Sequence, residues 1–495
     1  MADWLLDCTP RSVQVEALSR SYDGFTYCDR LGEGQRLPVC LPHGSISMPA
    51  RGWGHFMEMR LGKTPVALNE YLLLKRDHGI DRALILAPNK FKRTWKSEAE
   101  RFGVDVPIHV YEAREGERRF RDFMRRIGKY GPGILVANYE AMLHEKHRAR
   151  IYEFVDNANW LLVLDESAIV KTHTSQTTKR VTELAKGACY KRALSGMPAP
   201  YAPYDLWSQL RILGLLDKYA NFYVFKHTFT RLGGWKNKQA LGIQNEQELD
   251  EFLFHKSFRA KKVDWGFNTG VDYEQVPITM TAVQKKFYSQ MERDFTVWFS
   301  GDNFISVELA MSKHIKLQQI ASGFVYDENQ NETWIMPFEK TPKFLDLKDR
   351  LDNYIQGKVL VIAHYKATLR NLFKFLGEYY PAHIVGGMSS HEVERQKERF
   401  NNDERCRVML GQAQAIKYGH TPIGTKRNPC YSICFFENSY NLDTRSQCEA
   451  RPQGPHQKAQ IHIWDYHSCE VEKRITRALQ KRQRISDVIM GAYRA

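Results

Sequence analysis

Residues 56–64 read Phe-Met-Glu-Met-Arg-Leu-Gly-Lys-Thr, and an apolar run with helical character follows them. Gly-Lys-Thr at the start of a helix is typical of a phosphate-binding loop, because glycine lets the backbone approach an anion and the first helical turn presents free N–H groups. In such a loop Lys63 would contact the outer phosphates and the hydroxyl of Thr64 would bind Mg²⁺. The complete motif has a glycine five residues before Gly62, where this chain has Met57. The loop therefore predicts a nucleotide site only together with a carboxylate partner.

The composition is that of a folded, basic protein. With 495 residues, 43% of them hydrophobic and 26% charged, the chain has room for two or three domains. No apolar run approaches the ~20 residues of a membrane helix, and no secretion signal is predicted. Nine scattered cysteines indicate reduced thiols. We expect a soluble cytoplasmic protein without a membrane partner. Its net charge of +15 favours a polyanion, and nucleic acid is the commonest.

Short apolar runs that end in polar turns alternate with helical patterns in two parts of the chain. This alternation predicts an α/β fold with parallel sheets. Residues 51–54 and the Gly- and Pro-rich stretch before them are predicted as loop, and Thr9 is expected to cap the first helix, with Pro10 at its first position. We predict five segments: an N-terminal helix and irregular loop (1–52), a first lobe (53–213), a basic helical region (214–340), a second lobe (341–467) and a basic C-terminal helix (468–495).

The carboxylate partner stands at the end of the apolar run 160–164, where Asp165 and Glu166 follow directly. Ligands of parallel sheets bind at the carboxyl ends of the strands. Asp165 can hold the magnesium ion of a nucleotide, directly or through water, and Glu166 can orient or deprotonate an attacking water. A solvated turn would explain an isolated Asp-Glu pair. Its position after the Gly-Lys-Thr loop favours a site for ATP and Mg²⁺.

Seven motifs occur in an order and spacing that can be compared with known families. They are Gln14, residues 58–64, Leu86-Ala87-Pro88, Asp165-Glu166-Ser167-Ala168, Ser195-Gly196-Met197-Pro198, Gly386-Gly387-Met388, and Gln447 with Arg451. In these motifs the sequence resembles the superfamily 2 helicase-like ATPases, and within them the Swi/Snf-type double-stranded-DNA translocases. The compact form resembles the viral and bacterial branch, which implies a bacterial or virus-infected host cell.

The resemblance implies two tandem RecA-like parallel-sheet lobes with helical insertions between them, a C-terminal helix, and ATP in the cleft. The catalytic residues would be Lys63, Asp165, Glu166 and Arg451. The ATP-binding residues would be Gln14 on the adenine, Arg60, Gly62, Lys63, Thr64 and Gln447, and Mg²⁺ would be held by Thr64 and Asp165. Cycles of ATP hydrolysis would step the protein along duplex DNA.

Besides Arg60, which stands where the family has a glycine, three positions depart from the family pattern and leave alternatives open. Ala168 stands where the family often has histidine, Met197 replaces a hydroxyl residue, and Gly454 replaces the second arginine of the last motif. That arginine contributes on the order of 10³–10⁵ in rate in phosphoryl transfer. Either Arg451, Arg445 or Lys458 substitutes, or hydrolysis is slow. The alternative functions are a nucleotide-gated DNA-binding or scaffold protein, and an ATPase subunit of a larger DNA-processing complex with a protein partner.

Contacts with DNA are expected from lysine and arginine side chains on phosphates, without base reading. Three candidates, Lys90, Lys92 and Arg93, follow the Leu86-Ala87-Pro88 motif, and Lys171 follows Asp165-Glu166. A generic solvated basic surface would explain any one of them equally well.

Overall fold

The computed structural model describes residues 3–23, 49–113, 117–129, 131–234, 239–266, 270–300, 307–326, 331–416, 422–452 and 459–491. The chain divides into two compact units. The first consists of Met1–Asn268 and Arg482–Ala495, and the second of Thr269–Lys481.

The first unit is built on a seven-stranded parallel sheet. Its described strands are β1 (Gly52–Met57), β2 (Arg82–Ala87), β3 (Ile108–Val110), β4 (Gly133–Asn138), β5 (Trp160–Asp165), β6 (Tyr190–Ser195), β7 (Thr230–Gly233), β8 (Gln239–Ile243) and β9 (Ser257–Ala260). The sheet has the order β3-β4-β2-β5-β6-β1-β9, while β7 and β8 form a separate antiparallel pair.

Helices cover both faces of this sheet. They are α1 (Ser12–Leu18), α2 (Lys63–His78), α3 (Lys92–Arg101), α4 (Glu117–Ile127), α5 (Glu145–Val155), α6 (Gln176–Ala185), α7 (Asp205–Leu213), α8 (Phe222–Phe229) and α9 (Glu246–Phe254). Successive strand residues enter different apolar clusters, as Leu84 and Ile85 of β2 do. A strand buried on both faces reads as a continuous apolar run, which is why β2, β4, β5 and β6 could be predicted.

The second unit holds a six-stranded parallel sheet of order β10-β17-β16-β13-β15-β14 and an antiparallel pair, β11 and β12. Its described strands are β10 (Val271–Pro277), β11 (Phe324–Tyr326), β12 (Glu332–Trp334), β13 (Lys358–Ala363), β14 (Ala382–Ile384), β15 (Val408–Gln412), β16 (Cys430–Phe435) and β17 (Ile461–His467). Its helices are α10 (Ala282–Ser300), α11 (Val307–Ala321), α12 (Pro342–Asn353), α13 (Lys366–Phe375), α14 (Ser390–Asn402), α15 (Ala413–Ile416), α16 (Leu442–Glu449) and α17 (Glu470–Met490).

The predicted α/β fold with two parallel-sheet lobes is confirmed, but the chain is divided differently from the five predicted segments. Residues 214–340 do not form one helical region, since β9 is an edge strand of the first sheet and β10 an edge strand of the second. Strand β9 has only four residues, too few for its period to be recognised, and most residues of β10 are exposed, so β10 is not an apolar run. From Arg482 onward, the C-terminal helix belongs to the first unit, where Ile489 joins an apolar cluster.

Two local predictions near the N-terminus were wrong. Residues 52–54 are not loop but the start of β1, which lies between β6 and β9 inside the sheet. A Cβ atom at Gly52 would overlap the carbonyl of Leu213, so glycine is needed where the end of α7 approaches the strand. Helix α1 begins at Ser12 rather than Pro10, and Gln14 caps it by accepting a hydrogen bond from the Arg11 backbone N–H (2.8 Å).

Within the described ranges, no helix combines the length and the apolar character needed to cross a bilayer.

Candidate active site

The order of strands in the first sheet brings three predicted motifs together. Strands β5, β6 and β1 are neighbours, and all of them run parallel. Their carboxyl ends therefore meet at one edge of the sheet, where β5 is followed by Glu166, β6 by Gly196, and β1 by the loop 58–62. This edge is the place where parallel sheets bind ligands.

The loop after β1 has the backbone of an anion-binding turn. Gly62 adopts a left-handed conformation with φ of 92° and is the N-cap of α2. Arg60 is also left-handed, with φ of 71°, a conformation that costs a non-glycine residue free energy. Such strain is retained mainly where it serves a site. The free N–H groups at the start of the 16-residue helix α2 then face the ligand edge of the sheet.

Lys63 lies between the loops that follow β1 and β6. Its ammonium group donates a hydrogen bond to the carbonyl of Met57 (2.8 Å) and lies 3.5 Å from the carbonyl of Glu58. A Cβ atom at Gly196 would stand 3.6 Å from the same nitrogen, so the motif after β6 borders Lys63 directly.

Gln14 packs directly on the phosphate-binding loop. Its amide nitrogen donates to the carbonyl of Gly62 over 3.4 Å, and a Cβ atom at Gly62 would overlap that amide. The guanidinium of Arg11 donates to the carbonyl of Arg60 (2.9 Å), a contact that the sequence did not predict. Helix α1 is thus fastened to both left-handed residues of the loop. The adenine contact of Gln14 remains a prediction.

Asp165 is held by neighbours on both oxygens. Its Oδ2 accepts a hydrogen bond from the indole N–H of Trp95 (2.9 Å), and its Oδ1 accepts one from the backbone of Glu166 (3.1 Å). Burial raises the pKa of the Asp165 carboxyl, while the Trp95 hydrogen bond and the positive charge of Lys63 act in the opposite direction. The predicted phosphate-binding lysine and the predicted metal ligand are therefore within electrostatic reach of each other.

The turn at Glu166 has a strained backbone, and a hydrogen bond from Tyr139 stabilises the residue before it. Glu166 has φ of 49° and ψ of 53°, which places a non-glycine residue in the left-handed region. The buried hydroxyl of Tyr139 donates to the carbonyl of Asp165 (2.8 Å) and fixes the residue before the turn. A strained acidic residue at the ligand edge of a parallel sheet is a candidate for catalysis.

Oxygen donors for Mg²⁺ are present in this part of the chain. Among the described residues, no group of three or more His, Cys, Asp or Glu side chains could hold a metal by itself. Magnesium on a nucleotide needs no such group, because phosphates and water supply most of its ligands. Thr64 and Asp165 are suitable hard donors, and Glu98 Oε2 beside them is buried with no hydrogen-bond partner in the described part of the chain. These residues fit Mg²⁺ on a bound nucleotide.

Gln209 joins the turn after β5 to the loop after β6. Its Oε1 accepts a hydrogen bond from the hydroxyl of Ser167 (2.7 Å), and its Nε2 donates to the carbonyl of Pro198 (2.7 Å). Gln209 is fully buried, so water does not compete for these bonds. Met197, the residue before Pro198, is buried, and its N–H donates a hydrogen bond to the Ser195 hydroxyl (3.1 Å). No sequence motif identifies Gln209 in this role.

Gln447 and Arg451 lie in the second unit, on α16 and just after it. The side chain of Arg451 donates to the carbonyl of Gln447 (3.1 Å), and Gln447 is buried with its Nε2 on Asp443 (2.9 Å). Gly454 and Lys458 lie outside the described residues. The proposed ATP contacts of Gln447 and Arg451 remain predictions.

Arg445 cannot replace the missing arginine. Its guanidinium is buried, forms ion pairs with Asp465 and Glu449, and lies 3.5 Å from the ring centroid of Phe435. Freeing it would leave two buried or half-buried carboxylates without their partner, which is strongly unfavourable. This alternative from the sequence was wrong, because the motif alone does not show which arginine the sheet encloses.

The expected DNA contacts differ in exposure. Lys92 is buried, donates to the carbonyl of Tyr111 (2.6 Å) and pairs with Glu112, so its prediction as a phosphate contact was wrong. Arg93 is exposed, although it lies 3.3 Å from Glu112. Lys171 is half-buried over the ring of Tyr201. Lys90 is exposed.

A family model described as the SNF2-related domain matches residues 55–333. The chain belongs to the SNF2-related family. It is a Swi/Snf-type member of the superfamily 2 helicase-like ATPases, as its motifs predicted. The match begins in β1 and covers the phosphate-binding loop, the Asp165–Glu166 turn and the loop after β6.

Relatives of the SNF2-related chain are distant. The SWI/SNF-related matrix-associated actin-dependent regulator of chromatin subfamily A-like protein 1 of Drosophila melanogaster is 22% identical over 80% of this chain and 47% of that protein. The DNA annealing helicase and endonuclease ZRANB3 of Homo sapiens is 22% identical over 74% of this chain and 32% of that protein. Protein p41 of Acyrthosiphon pisum secondary endosymbiont phage 1 is 26% identical over 47% of this chain and 55% of that protein. The chain thus spans about half, or less, of the length of these relatives.

Among solved structures, the Sulfolobus solfataricus SWI2/SNF2 ATPase core in complex with dsDNA aligns with a TM-score of 0.41 at 17% identity, covering 100% of this chain and 96% of that one.

Proposed function

We propose that this SNF2-related protein is an ATP-dependent translocase or helicase-like remodeller that acts on duplex DNA. The observation that carries the proposal is that Lys63 and the Asp165–Glu166 turn follow strands of the first sheet whose carboxyl ends lie at one edge. A lysine, a strained acidic turn and a helix N-terminus at one place are what phosphoryl transfer requires.

In the proposed mechanism, different residues of the site bind the nucleotide, hold Mg²⁺ and activate the attacking water. Gln14 and Arg11 fix the loop and the adenine side of the site, while the α2 N-terminus and Lys63 hold the phosphates. Thr64 and Asp165 would hold Mg²⁺, which when bound neutralises charge on the phosphate oxygens. Glu166 orients the attacking water and takes up its proton.

Duplex DNA is proposed as the partner because of the net charge of the chain and because of its similarity to proteins named for DNA or chromatin. The net charge of +15 suits a phosphate backbone, and Lys90, Arg93 and Lys171 are the candidates that are not buried. The names of two relatives include chromatin and DNA annealing, which supports DNA here as well. A bacterial or virus-infected cell is proposed as the setting, because one relative is a phage protein.

A second candidate function is a nucleotide-gated DNA-binding or scaffold protein with slow hydrolysis. The observation in its favour is that Arg445 is locked by Asp465 and Glu449, so it cannot supply the charge of the arginine absent at Gly454. In that case ATP binding would change the affinity for DNA with little turnover. An ATPase subunit within a larger DNA-processing complex would show the same chemistry with a protein partner present.

The test is phosphate release with and without duplex DNA, for the wild type and for Glu166→Gln. We expect duplex DNA to stimulate release by the wild type. Glu166→Gln is expected to reduce release by on the order of 10²–10⁴-fold, because the general base is lost. Binding of a fluorescent ATP analogue should persist, since glutamine keeps the shape of the side chain. Displacement of a third strand from a triplex measures translocation.

Glu183→Gln on α6 is the matched control, because Glu183 is exposed and forms a surface ion pair with Lys186. It should leave release unchanged. Binding of the ATP analogue without duplex-stimulated release by the wild type would reject the motor and favour the gated protein.

A further inference from the structure

Helix α3 presents two side chains, one turn apart, to the two predicted ligands of Mg²⁺. The indole N–H of Trp95 donates a hydrogen bond to Asp165 (2.9 Å), and the carboxyl group of Glu98 lies near the Thr64 hydroxyl. Residues at i and i+3 lie on the same face of a helix, so one rigid element reaches both ligands. The motif pattern assigns no role to either residue.

Trp95 fixes the orientation of the Asp165 carboxylate group. The indole is buried, and its N–H donates to Oδ2 over 2.9 Å, while the backbone N–H of Glu166 binds Oδ1 from the other side. A carboxylate with one donor on each oxygen has its rotation fixed, and its remaining lone pairs face a definite direction. A partner that orients a metal ligand in this way commonly affects metal affinity nearly as much as the ligand itself.

Glu98 is placed to orient the hydroxyl group of Thr64. The Thr64 hydroxyl lies close enough to the Glu98 carboxyl group to oppose the rise in its pKa that burial causes, and Oε2 of that group is buried with no hydrogen-bond partner in the described part of the chain. A Thr64 hydroxyl that donates a hydrogen bond to Glu98 keeps its proton, and its oxygen lone pairs remain available to a cation. The unsatisfied oxygen adds negative charge at a place where a cation would offset it.

We propose that Trp95 and Glu98 are positioning residues for the Mg²⁺ of the bound nucleotide. The inference rests on the proposed function, because it requires Mg·ATP at Thr64 and Asp165. The competing explanation is structural, in which Trp95 is a core residue whose N–H takes the nearest acceptor. The two explanations make different predictions for the loss of the indole N–H. A positioning role predicts weaker metal binding alone, whereas a structural role predicts weaker binding of both metal and nucleotide.

The experiment measures metal and nucleotide binding separately in the full chain. Free Mn²⁺ is followed by electron paramagnetic resonance in the presence of a saturating non-hydrolysable ATP analogue, and analogue affinity is measured again in excess chelator. Trp95→Phe and Glu98→Ala are each expected to weaken Mn²⁺ binding by about 10–100-fold. Analogue affinity without metal should stay the same. Glu98→Gln, which keeps an oxygen acceptor for Thr64, should recover most of the Mn²⁺ affinity.

Two control variants match these changes. Trp53→Phe removes a buried indole whose N–H has no partner in the described part of the chain, and Glu100→Gln changes an exposed residue of α3. Neither should alter Mn²⁺ affinity. Unchanged Mn²⁺ binding in Trp95→Phe, or an equal loss of analogue affinity with and without metal, would overturn the inference. If the wild type binds no metal-nucleotide complex, the proposed function fails as well.

Discussion

Lys63→Ala is expected to reduce duplex-stimulated phosphate release by on the order of 10²–10³-fold, the loss seen when one donor to transition-state charge is removed. The ammonium group is held by the Met57 carbonyl beside Gly196, and its charge reaches Asp165. Alanine removes the positive charge that phosphoryl transfer uses and leaves the backbone of the loop in place. Steady-state phosphate release with saturating duplex DNA measures the effect.

Lys75→Ala is the matched control, because Lys75 lies on the exposed side of the same helix, α2. It removes an equal charge far from the N-terminus of the helix and should leave release within the error of the wild type. Equal losses in the two variants would show that general charge, and not the phosphate-binding loop, governs turnover.

Glu70→Ala is expected to destabilise the first unit by about 3–5 kcal/mol, as the breaking of a buried ion pair does. Glu70 is fully buried on α2 and accepts hydrogen bonds from Arg192 of β6 (2.6 and 2.8 Å). His55 of β1 lies 3.2 Å from its other oxygen. Alanine would leave the Arg192 guanidinium buried without its carboxylate. Urea unfolding, followed in the transition of the first unit, measures the change.

The same group predicts how stability depends on pH. Burial alone would raise the pKa of Glu70, but Arg192 and His55 together lower it from its ordinary 4.5 to about 2. A carboxyl group with a depressed pKa in the folded state stabilises the fold above its unfolded pKa, and that contribution is lost as the pH falls toward the folded value. The difference in stability between the wild type and Glu70→Ala should therefore shrink as the pH falls from 4.5 toward 2. Glu100→Ala, which changes an exposed residue, should show neither effect; a full-sized difference at pH 2 would contradict the assignment.

The sequence was informative where the apolar character of a run of residues decides whether it forms a buried strand. Most interior strands of the two sheets could be predicted because burial on two faces demands continuous apolar runs, and Asp165 and Glu166 follow from their position at the end of one of them. Strand β1 could not, because its glycines resemble a loop until α7 is seen to pack against Gly52. Short edge strands such as β9 carry too little pattern to be recognised.

Partners within the candidate site were beyond the reach of sequence. Helical spacing places Trp95 and Glu98 on one face of α3, but it does not show that this face meets Asp165 and Thr64. Gln209 likewise acquires its role only when α7 packs between two loops. Sequence also does not distinguish buried from exposed lysine and arginine residues. Burial excludes Lys92 from DNA contact and Arg445 from catalysis. Long-range contacts of this kind come from tertiary packing.

The most direct measurement is an anomalous difference map from crystals of the protein grown with duplex DNA, a non-hydrolysable ATP analogue and Mn²⁺ in place of Mg²⁺. A single strong peak between the Thr64 hydroxyl and the Asp165 carboxylate is predicted, with the terminal phosphates of the analogue on Lys63. A peak away from these two side chains, or nucleotide density that leaves Lys63 without a phosphate, would contradict the assignment of the site.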